Sequence, residues 1–555
     1  MKSAILFTAV VFPSLGCGQE RSAPSGDLVA RIQAEAVLAG QSPVAHWGSD
    51  PKRYSQWTTH SNRLIPIYTW GTKGAGKNID LGDYTGANSP YRSADSLRRI
   101  YGADPKDSVN PEAEFMDQTN VFDIQKAALA AGKKRIILFV FDGMGWESTR
   151  AAAIHRSKKV YLEGRGSGLA FLDYRREESQ FALFCTSPHS GDKAGYNVDR
   201  QTAIRGDCTG GYDVKRGGAA PWAPMGQKEY IKGPDHCKGA HTYTDSSSSA
   251  TSLCAGVKTY NHAVNVLPDG KQVDTIAHLA QRSGYKVGAI TTVPISHATP
   301  ACAYAHNVTR KDYQDLARDL LGRPSISHPT TPLTGMDVVM GTGWGIEDLG
   351  GKERQNQGDN YVAGNRYLTK DDRAAIDVSN GGKYVVAERT PGAKGKEVLV
   401  AAAAKAAEGN HRLLAYFGVK GWKEGEGHLP YATANGDFKP VTDRGGKNKE
   451  VYTDADLLEN PTLVDFTETA LNHLGRGNGK FWLMIEAGDV DWANHANNLD
   501  NMIGAVYSGD AAFQSVCRWV EGHGGWNDTV LIVTSDHDHY LSLLQPEALV
   551  GRDEG

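Results

Sequence analysis

The chain has 555 residues, of which 40% are hydrophobic and 22% charged, and these proportions describe a globular protein with ample material for a large core. Its net charge of −4, with no long block of lysines and arginines, gives no basis for a nucleic-acid partner. The 63 glycines point to many tight turns, and no stretch after the N-terminus has the roughly 18 apolar residues of a membrane helix.

Residues 1–17, MKSAILFTAVVFPSLGC, carry one cation, a short apolar run and small residues before Cys17. That pattern is a secretory signal. Gly16-Cys17 also resembles the lipobox of bacterial lipoproteins, with Ser14 where Leu is usual, which implies lipidation of Cys17 and a lipid anchor in a bacterial membrane. The expected location is therefore exported, periplasmic or cell-surface. Residues 18–132, rich in Tyr, Trp and Asn, read as an extension with helices near 27–38 and 120–131, packed on a main domain and without an assignable function.

From residue 133 to 555 the chain alternates apolar strands with amphipathic helices. Strands are expected at 134–143, 285–293, 336–343, 412–418, 481–489 and 528–536, and helices near 274–283, 311–321, 396–408, 462–475 and 502–520. Near-continuous apolar strands suit a parallel sheet covered on both faces. The alternation predicts a doubly wound, largely parallel α/β sheet sandwiched by helices. Polar, Gly-rich insertions interrupt it at about 160–240, 345–390 and 420–455. Cys254, Cys302 and Cys517 lie in apolar helical patterns and read as buried thiols. Cys185, Cys208 and Cys237 lie in a polar region where an exported protein could pair two of them.

Residues 241–256, HTYTDSSSSATSLCAG, look at first like a Ser-rich linker. However, Ala250, Leu253, Cys254 and Ala255 continue the run at helical spacing, and Gly256 ends it. Asp245 and Ser246 therefore stand at a helix start, where backbone N–H groups and the helix dipole favour an anion.

Functional residues of an open α/β sheet gather beyond the carboxyl ends of its strands. Three strands here end in hard ligands. Asp142 ends one in FVFDGMG; Glu486, Asp489 and Asp491 follow another in IEAGDVDWANH; Asp536 and His537 end a third in VTSDHDH. Three such ends at one edge indicate metal binding. Mixed imidazole and carboxylate ligands, such as Asp491 with His495, suit zinc, and an all-oxygen set suits magnesium. Paired metals can hold the attacking and leaving oxygens of a phosphoryl transfer.

TDSxxSAT followed by GVKTYN (244–261) resembles the nucleophile segment of the alkaline phosphatases. FDGMG, HATPACAYAHNVTR (297–310), IEAGDVDWANH and TSDHDH fit that family's motifs, and the likeness runs from about 135 to 540. It implies an exported phosphomonoesterase with two zinc ions and one magnesium. Ser246 would form a phosphoserine, Asp245 would orient the helix start and Arg310, and Arg310 would grip two phosphate oxygens. Asp142, Asp536 and His537 would hold one zinc, and Asp491 and His495 the other. Asp142, Glu486 and Thr299 would bind magnesium, with His297 close by. His539 and Trp492 would support these ligands from behind. Asp489, Asp538, His306 and His262 read as structural.

The same resemblance expects a third ligand to the second zinc, a histidine some tens of residues after the Asp-His pair, together with a closing strand. Only eighteen residues follow His537, so the sequence reading expects a chain lacking its C-terminal part and that ligand. Small-molecule phosphate monoesters are the expected substrates, and the resemblance implies a homodimer. Two alternatives stay open: a phosphodiesterase or sulfatase of the same superfamily, and a non-catalytic lipoprotein that binds metal or phosphate.

Overall fold

Every residue of the run Arg135–Phe141 is buried. A strand with one wet face would alternate, so continuous burial requires cover on both sides. In the computed structural model, which describes residues 27–551 apart from 55, 192–194, 205, 207–209, 232–241, 349–353, 421–425, 441–451 and 478, this run lies inside a ten-stranded sheet. Its strands are β1 (Ile65–Trp70), β2 (Met116–Asp117), β3 (Arg135–Phe141), β4 (Ser179–Cys185), β5 (Lys286–Pro294), β6 (Val338–Thr342), β7 (Tyr384–Glu388), β8 (Arg412–Phe417), β9 (Phe481–Ala487) and β10 (Thr529–Thr534).

The spatial order is β7-β8-β6-β5-β9-β3-β10-β1-β4-β2. From β7 to β10 every pairing is parallel. β1 then pairs antiparallel with both β10 and β4. The period-two alternation of each strand divides the core into two layers. Ile137, Phe139 and Phe141 of β3 face a cluster with Phe466, Leu471, Ile503 and Phe513. Ile136, Leu138 and Val140 face the opposite cluster, with Ile124, Leu253, Cys254 and Ile276.

All six expected strands and all seven expected helices form at or near their predicted positions. The structure adds strands where insertions were read. β4 falls inside 160–240 and β7 inside 345–390; several of their residues are half-buried, so the unbroken apolar run is missing, and flanking Gly-rich stretches hid them. Residues 18–132 are more than an extension packed on the outside. β1 and β2 are strands of the central sheet, and Ala45–Trp47 pairs antiparallel with Leu541–Leu543. Cys185, Cys254, Cys302 and Cys517 are buried thiols. Cys17, Cys208 and Cys237, and with them the leader and the pairing of the last two, lie outside the described residues. Among the described residues, no helix is long and apolar enough to cross a membrane.

Candidate active site at the carboxyl edge of the sheet

The parallel strands point their carboxyl ends at one edge, and the predicted site residues converge there. Asp142 follows β3, Glu486 lies near the end of β9, and Asp536 and His537 follow β10. After β9 the chain turns directly into the helix Asp489–His495, which carries Asp491 and His495 one turn apart. After β5 the short helix Ala298–Cys302 presents Thr299, with His297 at its start.

The serine run is a helix, Ser246–Ala255, buried along its whole length. Asp245 caps it: its carboxylate accepts from the Ser248 backbone N–H at 2.9 Å, and the Ser248 hydroxyl closes a capping box. The Ser247 hydroxyl also donates to Asp245, at 2.9 Å. Arg310 Nη1 donates to Asp245 Oδ2 at 3.0 Å, and Arg310 Nη2 lies 3.3 Å from His297 Nε2. Burial opposes charge on Asp245, but Arg310, His262 and the helix N–H hold its carboxyl far below the usual range. The Ser246 hydroxyl, left facing the site, lies 3.2 Å from His537 Nε2.

Asp142, Asp536 and His537 bring one ligand atom each to within 4.8 Å of one another. Burial, reinforced by the neighbouring carboxylates, pushes Asp142 up, and burial also raises Glu486 and Asp536. His537 sits 3.3 Å from Asp142 Oδ1 and 3.4 Å from Asp536 Oδ2. Burial holds its pKa well down, so these approaches are not ion pairs but a neutral imidazole among carboxylates. Asp142 Oδ1, Asp536 Oδ2 and Glu486 Oε1 are buried with no hydrogen-bond partner. Packed carboxylate oxygens with no donor need a proton shared between them or a cation, and the residues fit a metal.

Thr299 donates to Asp142 Oδ2 at 3.3 Å, and Glu486 is held by Thr291 at 2.5 Å. These oxygens form the hard set suited to magnesium. His297 is placed against Arg310 and edge-on to Trp492, with ring centres 5.8 Å apart. Asp491 is approached by His539 Nε2 at 2.5 Å and His495 Nε2 at 3.4 Å. Burial works against its charge, but these imidazoles keep its pKa well below the carboxylate range.

Three of the residues read as structural lie outside this constellation. Asp489 pairs with His428 at 3.1 Å, Asp538 accepts from the Ser61 hydroxyl, and His306 bonds His328. His262, also read as structural, borders the constellation: its carbonyl accepts from the Arg310 N–H at 2.7 Å, and its side chain helps hold the Asp245 carboxyl down.

Three contributors escaped the sequence reading. Thr291 is a hydroxyl inside an apolar strand, with nothing to mark it. Gln118 donates to the Ser249 hydroxyl at 2.6 Å and to the Asp536 carbonyl at 3.0 Å, tying the serine helix to the β10 loop. His60 lies in the polar run QWTTHSN, with no metal-ligand spacing around it. It forms a group of metal-ligating type with Asp491, His537 and His539. An imidazole beyond those read from the motifs therefore stands at the site where the sequence reading expected a missing one.

A family profile described as alkaline phosphatase matches residues 226–414 and 433–549. Alkaline phosphatase 4 of Bacillus subtilis is 27% identical over 300 residues, which are 54% of this chain and 50% of that protein. The alkaline phosphatase of Escherichia fergusonii is 25% identical over 433 residues, 75% of this chain and 72% of that one. This chain thus spans half the length of the Bacillus relative and nearly three quarters of the Escherichia one. The crystal structure of Thermus thermophilus alkaline phosphatase superposes with a TM-score of 0.42 at 22% identity, covering 73% of this chain and 60% of that chain.

Proposed function

This chain belongs to the alkaline phosphatase family, and on that premise we propose that it is a metal-dependent phosphomonoesterase working through a phosphoserine at Ser246. The observation that carries the reading is the Ser246 hydroxyl, set at a capped helix start 3.2 Å from His537, with Arg310 locked beside it by Asp245.

Asp142, Asp536 and His537 would hold one zinc. Asp491 and His495 would hold a second, and Asp142, Glu486 and Thr299, with His297 nearby, a magnesium. Bound there, the metals would lower the cost of a serine alkoxide and balance charge on the leaving oxygen.

The chain's own groups do the rest. The N-terminal N–H groups of the helix and the Arg310 guanidinium attract and orient the phosphoryl oxygens. Asp245 is no base, because its charge is already satisfied; it fixes Arg310 in the plane where a bidentate grip is made. Ser246 Oγ bonds to phosphorus as the ester P–O bond breaks, and the serine proton ends on the departing alcohol; water then adds to phosphorus as the Oγ–P bond breaks, one of its protons returning to Ser246 Oγ and phosphate being released. His539 orients Asp491, and Trp492 packs on His297.

Comparing a phosphate monoester, a phosphate diester and a sulfate ester tests this. Turnover of the monoester, abolished by a chelator and by Ser246→Ala, supports the reading. Preference for the diester or sulfate ester moves the chain elsewhere in the superfamily, and metal uptake without turnover makes it a binding protein. Export, lipidation at Cys17 and a homodimer are proposals from the N-terminal sequence and the family resemblance. Cell fractionation and sedimentation test them.

A further inference from the structure

Deepening the metal reading above, and resting on it, we infer that His60 is the third ligand of the second metal, delivered by the N-terminal segment. Its ring is largely buried and stacks on His537 with centroids 3.7 Å apart. Its Nε2 lies 3.7 Å from Asp491 Oδ1 and 3.2 Å from His495 Nε2.

The hydrogen bonds on the far sides of the two rings decide what sits between them. His60 Nδ1 lies 3.0 Å from the Thr244 carbonyl, and His495 Nδ1 lies 3.1 Å from the Thr58 carbonyl. A carbonyl only accepts, so each Nδ1 carries the proton. In the neutral tautomers, both Nε2 atoms then present lone pairs to each other across 3.2 Å, beside the Asp491 carboxylate. Two acceptors and an anion facing one another are satisfied by a cation between them, either a proton shared by the rings or a metal ion, and the three ligand atoms lie 3.2 to 3.7 Å apart, close enough to share one ion. An imidazole whose remote nitrogen is fixed by a carbonyl is also how proteins hold a metal-ligating histidine. Together with Asp491 and His495, His60 would supply the three protein ligands that a catalytic zinc takes. His539, spent on Asp491 Oδ1 at 2.5 Å, orients the carboxylate.

The segment is anchored for this work. The Ser61 N–H donates to the Asp538 carbonyl at 2.8 Å, and the Ser61 hydroxyl to Asp538 Oδ2 at 2.5 Å. Immediately afterwards, β1 pairs along β10, with Ile67 opposite Thr534. The histidine and the closing strand expected after the Asp536–His537 pair thus both come from residues 60–70. The order of the chain is rotated relative to that expectation.

Metal content of the intact chain tests this without relying on turnover. Wild type, His60→Ala, His60→Cys and Ser61→Ala are equilibrated in buffered free zinc, and bound metal is counted by mass spectrometry. We expect His60→Ala to lose one zinc equivalent, or to bind its last zinc at least about 100-fold more weakly. His60→Cys should keep that zinc through a thiolate. Ser61→Ala, which keeps the imidazole but removes one anchor of its segment, should bind that zinc more weakly than wild type and more tightly than His60→Ala. In the cobalt-substituted protein, His60→Cys should add a thiolate charge-transfer band absent from wild type, a readout that survives if the alanine variant fails to fold. Unchanged zinc content and affinity in His60→Ala, or a cysteine variant without that band, overturns the inference while leaving the metal reading intact. A wild-type chain that takes up no divalent metal overturns both.

Discussion

Arg310→Ala removes one half of a pair buried beside the proposed nucleophile. Truncating one partner of a buried ion pair costs about 3–5 kcal/mol when the survivor is stranded. Here Asp245 is not stranded, since it keeps the Ser248 N–H at 2.9 Å, the Ser248 hydroxyl at 2.8 Å and the Ser247 hydroxyl at 2.9 Å. The two side chains are also 15% and 11% exposed, so some water reaches them. The expected loss is therefore smaller, about 2 kcal/mol, read from urea unfolding of the metal-loaded protein. The functional loss is separate. Charge-assisted hydrogen bonds to phosphate are worth about 1.5–3 kcal/mol, so inhibition by inorganic phosphate should weaken roughly 10- to 100-fold. Arg310→Lys should recover part of the charge but not the bidentate grip, and should fall between the two. A variant 2 kcal/mol less stable whose phosphate inhibition shifts less than about threefold would refute the reasoning, leaving Arg310 a strut for Asp245 and no more.

Gly143 has φ +69°, and a Cβ there would lie 2.8 Å from His539 and 2.9 Å from the Asp491 Cα. Gly143→Ala should cost about 2–4 kcal/mol from left-handed strain and the clash, and should weaken zinc binding in a competition titration with a chromogenic chelator. Burial pushes Asp319 up to about 8, and it accepts from the His306 N–H and the Ser325 hydroxyl. Its folded pKa exceeds its unfolded one, so the stability it contributes is full below about pH 4 and lost as pH rises through about 8. Asp319→Asn should flatten that decline by up to about 1.4 kcal/mol per pH unit between about pH 5 and 7, measured as urea midpoints against pH. Because burial raises Asp142, Glu486 and Asp536 in the metal-free chain, adding zinc or magnesium near neutral pH should release protons. The affinity should rise with pH as those carboxyls ionise, which calorimetry in buffers of different ionisation enthalpy detects.

The sheet was legible because its central strands are buried on both faces and therefore read as unbroken apolar runs, as in FVF and IIL of β3. β4 and β7 were not, since several of their residues are half-exposed and their neighbours are rich in Gly. Asp142, Glu486 and Asp536, expected at strand ends by the rule that places function at the carboxyl edge, do lie at that edge. The helix expected after the serine run does start at Ser246, whose role as nucleophile came only from the family resemblance. His60 could not be found in this way. It belongs to no strand end and no spaced motif, and only the pairing of β1 with β10 carries it to Asp491. That pairing joins residues more than 460 positions apart, a contact that no local pattern encodes.

The central claim is a phosphoryl group carried by Ser246. The direct measurement incubates the metal-loaded protein with a phosphate monoester, quenches it in acid, and maps its peptides by mass spectrometry. The account predicts one added phosphoryl group on the peptide spanning Ser246, at Ser246 itself and lost in Ser246→Ala. Turnover that continues in Ser246→Ala with no phosphopeptide at any time point would contradict it.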